Sequence, residues 1–383
     1  MRRYQPTFKR HRLILVALCL FCVISAVRPI PTVPLGRALA AAAAPAELTD
    51  RQFWGLSRDS SEVDGVFRSD NLLSNETSFQ YIIPDLLKTA KQGRVYLGVG
   101  PEQNFTYIAA IKPAMAIIID IRHGNLDVHL MYKALFELSK DRSEFVSRLF
   151  SRKRPGGLTE KSTASEIFSA YVTAQGSKEI YEENLKTIED VLVKKHGFPL
   201  TSGDLDGIRW ALGNYYQFGP SINYNSSLSA NDPPAIVGAT GGNRGGNNGV
   251  TYADLMVADD GSGQNRSFLA NEENFAFVKD LEARNLVVPV VGDFGGDKAI
   301  RAVARYLKSV DAMVSAFYLS NVEQFLLQDG KWDTFCSSVA ALPLDETSSF
   351  IRSGRGRSGF GGGVQNSSTN NMLLELAPCL GKR

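Results

Sequence analysis

Apolar residues fall into two short rhythms, separated by a long stretch of helical spacing. In the first, Arg94-Val95-Tyr96-Leu97-Gly98-Val99-Gly100 is an apolar strand running into glycines. Pro101-Glu102-Gln103 then opens a helix carried by Phe105, Ile108, Ala109 and Ile111, and Pro113 stops it. Residues 114–120 form an unbroken apolar run ending in Asp120. Such runs belong to strands buried on both faces, as in a parallel sheet. The spacing predicts a β-α-β unit with a right-handed crossover, followed by a helix over 126–139.

The rhythm returns late in the chain. Residues 286–291 read as a strand whose Pro289 predicts an edge or a kink. A glycine turn over 292–296 leads to a helix over 297–307, and a strand over 311–318 ends at Ser320-Asn321. A helix begins at Val322, and two more strands are expected near 349–351 and 372–376. Upstream, Thr49 or Asp50 caps a helix start, and 78–91 reads as an amphipathic helix ended by Gly93. Between the halves lies an insertion over about 141–285, mostly helical, with Ile180, Leu185, Ile188 and Leu192 forming an apolar stripe. Two Gly/Asn/Ser-rich stretches, 233–249 and 353–371, read as extended loops. The pattern predicts one α/β domain over 45–383, with a Rossmann-like, mostly parallel sheet.

Composition narrows the class. Of 383 residues, 44% are hydrophobic and 21% charged, which excludes a wholly disordered, collagen-like or multi-span chain. Residues 1–44 hold seven basic residues and no acid around an apolar run at 13–27, then small residues at 38–44. That predicts a signal peptide, with an uncleaved membrane anchor as the alternative. The chain is accordingly expected in the cell envelope or periplasm, touching membrane only through this segment. The net charge of +2 hides a split: residues 45–350 carry 30 basic and 39 acidic residues, net −9. The folded body is not expected to bind nucleic acid, and the tail from 351, with five basic residues and one acid, is where an anionic contact would fall.

Cysteine and histidine chemistry is sparse. Cys19 and Cys22 sit in the apolar run, while Cys336 and Cys379 fit either a disulfide or two free thiols. His11 lies in the signal and His196 at a helix end, which leaves His123 and His129 and no zinc-ligand spacing, so no metal is expected. His123, just past the second strand, is a candidate general base, set against the commoner surface histidine. The aromatic cluster Tyr215, Tyr216, Phe218 and Tyr224 fits a pocket wall or core packing equally.

The sharpest chemical signal is Gly98-x-Gly100 after a strand, with Asp120 closing the next. Glycines let backbone approach a ligand, and an acid about 20 residues on can bond a ribose hydroxyl. Glu102 stands where a third glycine would be and would repel a pyrophosphate, so the pattern favours S-adenosylmethionine over a dinucleotide. On Val95–Gly100, Asp120 and the strands ending at Asp293 and Asn321, the chain resembles the class I S-adenosylmethionine-dependent methyltransferase fold family. It is also similar to a group of bacterial proteins of that fold without an established reaction, through residues 98–105 and 291–294. The resemblance implies a methyltransferase-type sheet. It places Gly98 and Gly100 at the methionine part of the cofactor, with Glu102 at the third-glycine position of the same cofactor-binding loop, Asp120 at the ribose, and Asp293 and Asn321 near adenine and a small-molecule acceptor. Tyr96 stands where the family carries an acid, and no amino-methylating Asn-Pro-Pro-Tyr signature follows the fourth strand. The other reading is a non-catalytic binding or scaffold protein of the envelope on the same fold.

Overall fold

In the computed structural model, β1 (Val95–Gly98), β2 (Met115–Asp120), β3 (Val287–Val291), β4 (Val314–Ser320), β5 (Ser349–Arg355) and β6 (Gln365–Asn371) form one sheet in the order β3-β2-β1-β4-β5-β6. The structure describes residues 44–67, 69–70, 72–226, 249–355 and 365–380. The expected export segment lies outside them except for Ala44, as do 227–248 and 356–364. Among the described residues, no helix is long and apolar enough to cross a membrane.

The first five strands run parallel, and β6 pairs antiparallel with β5. The order is that of the doubly wound dinucleotide-binding sheet, with the last strand reversed. β1 to β3 are buried throughout, which explains their unbroken apolar sequence. Pro289 does sit on an edge strand: β3 pairs only with β2 among the named strands. That edge is covered, because the Ser57 hydroxyl donates to the Pro289 carbonyl at 2.6 Å and Glu62 N–H donates to the Val291 carbonyl at 2.8 Å. Covering is one of the ways an edge is kept from pairing with another chain.

Helices flank the sheet. The first, Asp50–Ser60, starts with a capping box between Thr49 and Gln52. The expected helix over 78–91 divides into a 3-10 turn, Phe79–Ile82, and a helix, Ile83–Thr89, at Pro84, which is tolerated only near a helix start. Helix Gln103–Ile111 follows β1, and His123–Leu138 follows β2. The second is buried along almost its whole length, against Ser202–Phe218 of the insertion on one side and Glu272–Ala283 on another. The insertion is helical as expected, with Ala164–Val172, Lys178–Glu189 and a π-helical turn Asp190–Lys195.

The C-terminal reading needs correction. Residues 353–371 are not simply an extended loop: 353–355 and 365–371 belong to a seven-residue antiparallel ladder from Ser349↔Asn371 to Arg355↔Gln365. β6 is Gln-Asn-Ser-Ser-Thr-Asn-Asn, so no apolar alternation announces it; backbone pairing alone makes it a strand. The strand expected at 372–376 is instead the start of helix Met372–Leu380. A short apolar run fits either state, and the Asn371 side chain decides it by accepting from Leu374 N–H at 3.0 Å. Cys336, in helix Trp332–Val339, and Cys379 form a disulfide.

Candidate functional site

β1 lies between β2 and β4, so the chain winds away from it in opposite directions, and the loops at the carboxyl ends diverge. Open α/β sheets bind ligands there. A cleft of about 1110 Å³ occupies that position, just above the usual range of small-molecule pockets, roughly 300–1,000 Å³. Its walls include Gly100 after β1, Asp120 and Arg122 after β2, Asp293 and Phe294 after β3, and Ser320 and Asn321 after β4. Four of the six expected site residues, Gly100, Asp120, Asp293 and Asn321, share this wall.

Gly98 and Glu102 do not line it. A Cβ on Gly98 would collide with the Asn104 side chain and the Tyr96 ring. Gly98 is therefore glycine to admit Asn104, not a ligand. Asn104 gathers the loop from inside: its Oδ1 accepts from the Tyr96 hydroxyl at 2.8 Å, and its Nδ2 donates to the carbonyls of Val99, Gly100 and Pro101. Gly100 has a different reason, a φ of +76° that a side chain would strain. Its carbonyl also bonds His129 Nε2 at 2.9 Å, and burial pushes the His129 imidazole down to about 4, so it stays neutral. Glu102 turns inward and accepts Ser74 N–H at 3.0 Å. Burial pushes its carboxyl up to about 8.

Asp120 faces Arg122. Its Oδ1 accepts Arg122 N–H and Nε, and its Oδ2 accepts Nη2 at 2.9 Å. A carboxylate has about four acceptor sites, so one on Oδ2 remains. Arg122 also donates to the carbonyls of Ser69 and Asp70, tying the segment above the cleft to the end of β2. Asp293 is held by Lys331 Nζ at 2.6 Å and Gly295 N–H at 2.8 Å. Glu62 accepts from Lys298 and Ala299 N–H, filling the start of helix Ala299–Ser309 with the protein's own carboxylate.

The residue that sequence reasoning missed is Glu76. It is buried in the cleft wall, and its Oε1 accepts from the hydroxyls of Tyr318 at 2.7 Å and Ser320 at 2.6 Å. Its Oε2 has no hydrogen-bond partner among the described residues, nor has Oε1 of neighbouring Gln103, whose Nε2 donates to Tyr318. Burial raises the Glu76 carboxyl above its usual range, against the hydroxyls that lower it. Ser320 carries a φ of +51°, a strained backbone for a non-glycine residue, where it meets Glu76. No motif announces Glu76, because its position depends on the chain folding back over β4. Of the insertion's aromatics, Tyr224 reaches the cleft, while Tyr215 is buried and bonded to the Tyr132 hydroxyl.

These features define an α/β protein with a ligand-sized cleft at the point where a doubly wound sheet changes direction. The chain belongs to the family described as a domain of unknown function, DUF7790, whose pattern matches residues 72–196 and 250–373. No curated protein matches it.

Proposed function

We propose that the chain is an exported, S-adenosylmethionine-dependent enzyme that methylates a small molecule in this cleft. The observation that carries the reading is the pair of unpartnered acceptors, Glu76 Oε2 and Gln103 Oε1, beside Gly100. A buried acceptor left alone costs about 1–3 kcal/mol, so the wall is built for a ligand that brings donors. An ammonium group suits it best, because it also offsets a desolvated carboxylate. Glu76 then supplies, from an upstream segment, the acid that Tyr96 replaces in the glycine loop. The free site on Asp120 Oδ2 suits a ribose hydroxyl. Glu62, already seated at the start of helix Ala299–Ser309, disfavours a pyrophosphate there. When bound, the cofactor supplies an electrophilic methyl group on sulfur. Asp293 and Asn321 face the remaining cleft volume, where an acceptor would sit. The disulfide supports the exported reading, since such bonds persist in oxidising compartments.

A non-catalytic binding protein is the second reading, favoured by the pairing of Asp120 and Asp293 with the chain's own cations. Calorimetric titration of the folded protein with S-adenosylmethionine and S-adenosylhomocysteine separates the two. Saturable heat with both, weakened about 10-fold or more in Glu76→Gln, is expected. Absence of heat with either ligand on folded protein sinks the methyl-transfer reading.

A further inference from the structure

A second cluster lies beyond the cleft, at the start of helix His123–Leu138. His123 is its first residue and Asp127 its fifth, one turn on and so on the same side. Asp204, in the first turn of helix Ser202–Phe218, meets them from the insertion. His123 Nε2 is 2.6 Å from Asp204 Oδ1 and 3.7 Å from Asp127 Oδ1, and one ligand atom from each residue lies within 4.8 Å of the others.

Three further observations set this apart from an ordinary surface ion pair. Asp127 Oδ1 is buried and has no hydrogen-bond partner among the described residues, although it points into the cluster; the side chain is 5% exposed. Gly207 makes that position feasible, because a Cβ there would collide with the Asp127 carboxylate. The charge is also unbalanced. Asp127 and Asp204 face one imidazole, and Asp64 Oδ1 accepts the backbone N–H of His123 at 2.6 Å, so a third carboxylate stands beside the same residue. Arg122, the adjacent cation, is committed to Asp120.

We propose that His123 Nε2, Asp127 Oδ1 and Asp204 Oδ1 form a binding site for a divalent transition-metal ion. One imidazole and two carboxylates suit zinc, manganese or iron(II); magnesium and calcium prefer all-oxygen shells, and copper(I) needs sulfur. Two ligands at i and i+4 on one helix and a third from a packed helix present three donors on one side. His123 is 43% exposed, which leaves the remaining coordination positions open to water or substrate. Gly207 keeps the Asp127 carboxylate against the backbone of the second helix, where it cannot turn to solvent. Sequence spacing hid the site, because Asp204 is far from His123 along the chain, in the stretch between the two family-matched segments.

The test is calorimetric titration of the chelator-treated full chain with zinc and manganese chloride, using magnesium chloride as the control. One equivalent of zinc or manganese is expected to bind and to raise the melting temperature, with magnesium giving neither effect. Asp127→Asn and His123→Ala should each weaken zinc binding by more than the roughly 10- to 100-fold lost with an outer-shell partner. Circular dichroism checks that both variants fold, and Asp127→Asn, which only neutralises a buried oxygen, guards against a His123→Ala variant that does not. No stoichiometric binding by the wild-type chain overturns the proposal, as does zinc affinity unchanged in folded Asp127→Asn.

Discussion

Glu102 shows how one side chain couples the glycine loop to pH. Its carboxyl is buried, and burial raises it to about 8 from an ordinary value near 4.5. The folded state therefore keeps a proton that the unfolded chain has lost. The resulting stabilisation is fully present below about pH 4.5 and is lost as pH rises through about 8. His129 has the opposite sign: its folded value of about 4 lies below the unfolded 6.5, so its stabilisation fades as pH falls from 6.5 toward 4. Comparing Glu102→Gln with wild type cancels the other titrating groups. Between pH 5 and pH 8 the variant should gain on the order of 3 kcal/mol relative to wild type. Urea midpoints at the two pH values measure this, and parallel profiles for both proteins would refute it. At this scale the sequence was partly legible. It placed Gly100, Asp120, Asp293 and Asn321 near one wall, because strand ends converge by topology. It could not separate Gly98 from Gly100, since both are glycine for reasons visible only in three dimensions: one makes room for Asn104, the other takes a positive φ. Glu76 and the His123 cluster were invisible because their partners come from distant elements.

Among the elements, the buried strands were the easiest to read and the polar ones the hardest. β1, β2 and β3 announce themselves by continuous apolar sequence, because both faces are covered. β6 carries no such pattern and exists through its ladder with β5. What fixes this polar edge is partly covalent. Helix Met372–Leu380 follows β6 directly, and Cys379 ties it to Cys336 across 43 residues. Closing a loop of that length removes unfolded-state entropy worth roughly 4 kcal/mol in the chain-entropy account. Cys379→Ser is expected to lose about 2–4 kcal/mol in chemical denaturation, with faster amide exchange concentrated in 365–380. An unchanged midpoint and unchanged exchange would show that noncovalent packing alone holds this edge.

At the level of the whole molecule, charge is distributed by segment. Residues 45–350 are net −9, and the five basic residues of the tail fall after Phe350. A protein lacking residues 1–44, with the tail residues Arg355, Arg357, Lys382 and Arg383 changed to Gln, should show no retention of duplex DNA in gel-shift assays at 100 mM salt, because phosphate contacts require a basic surface to release counterions. Retention that falls steeply with salt would contradict the expectation. The fold class was legible at this scale, since two apolar rhythms flanking a helical insertion fit few architectures. The reversal of the last strand was not.

The placing of the insertion also governs when a site can exist. β1 and β2 are adjacent in the chain, yet Val95 pairs with Val314, and β3 pairs with β2 only after the whole insertion has passed. Contacts that span so much chain form late and slowly, because loop closure must precede any gain from them. A nascent chain ending before residue 314 holds the glycine loop and Asp120 but lacks the β4 wall with Tyr318 and Ser320, so Glu76 has no hydroxyl to meet. Synthesis thus delivers the cleft at almost the last moment, and a truncated product carries a motif without a pocket.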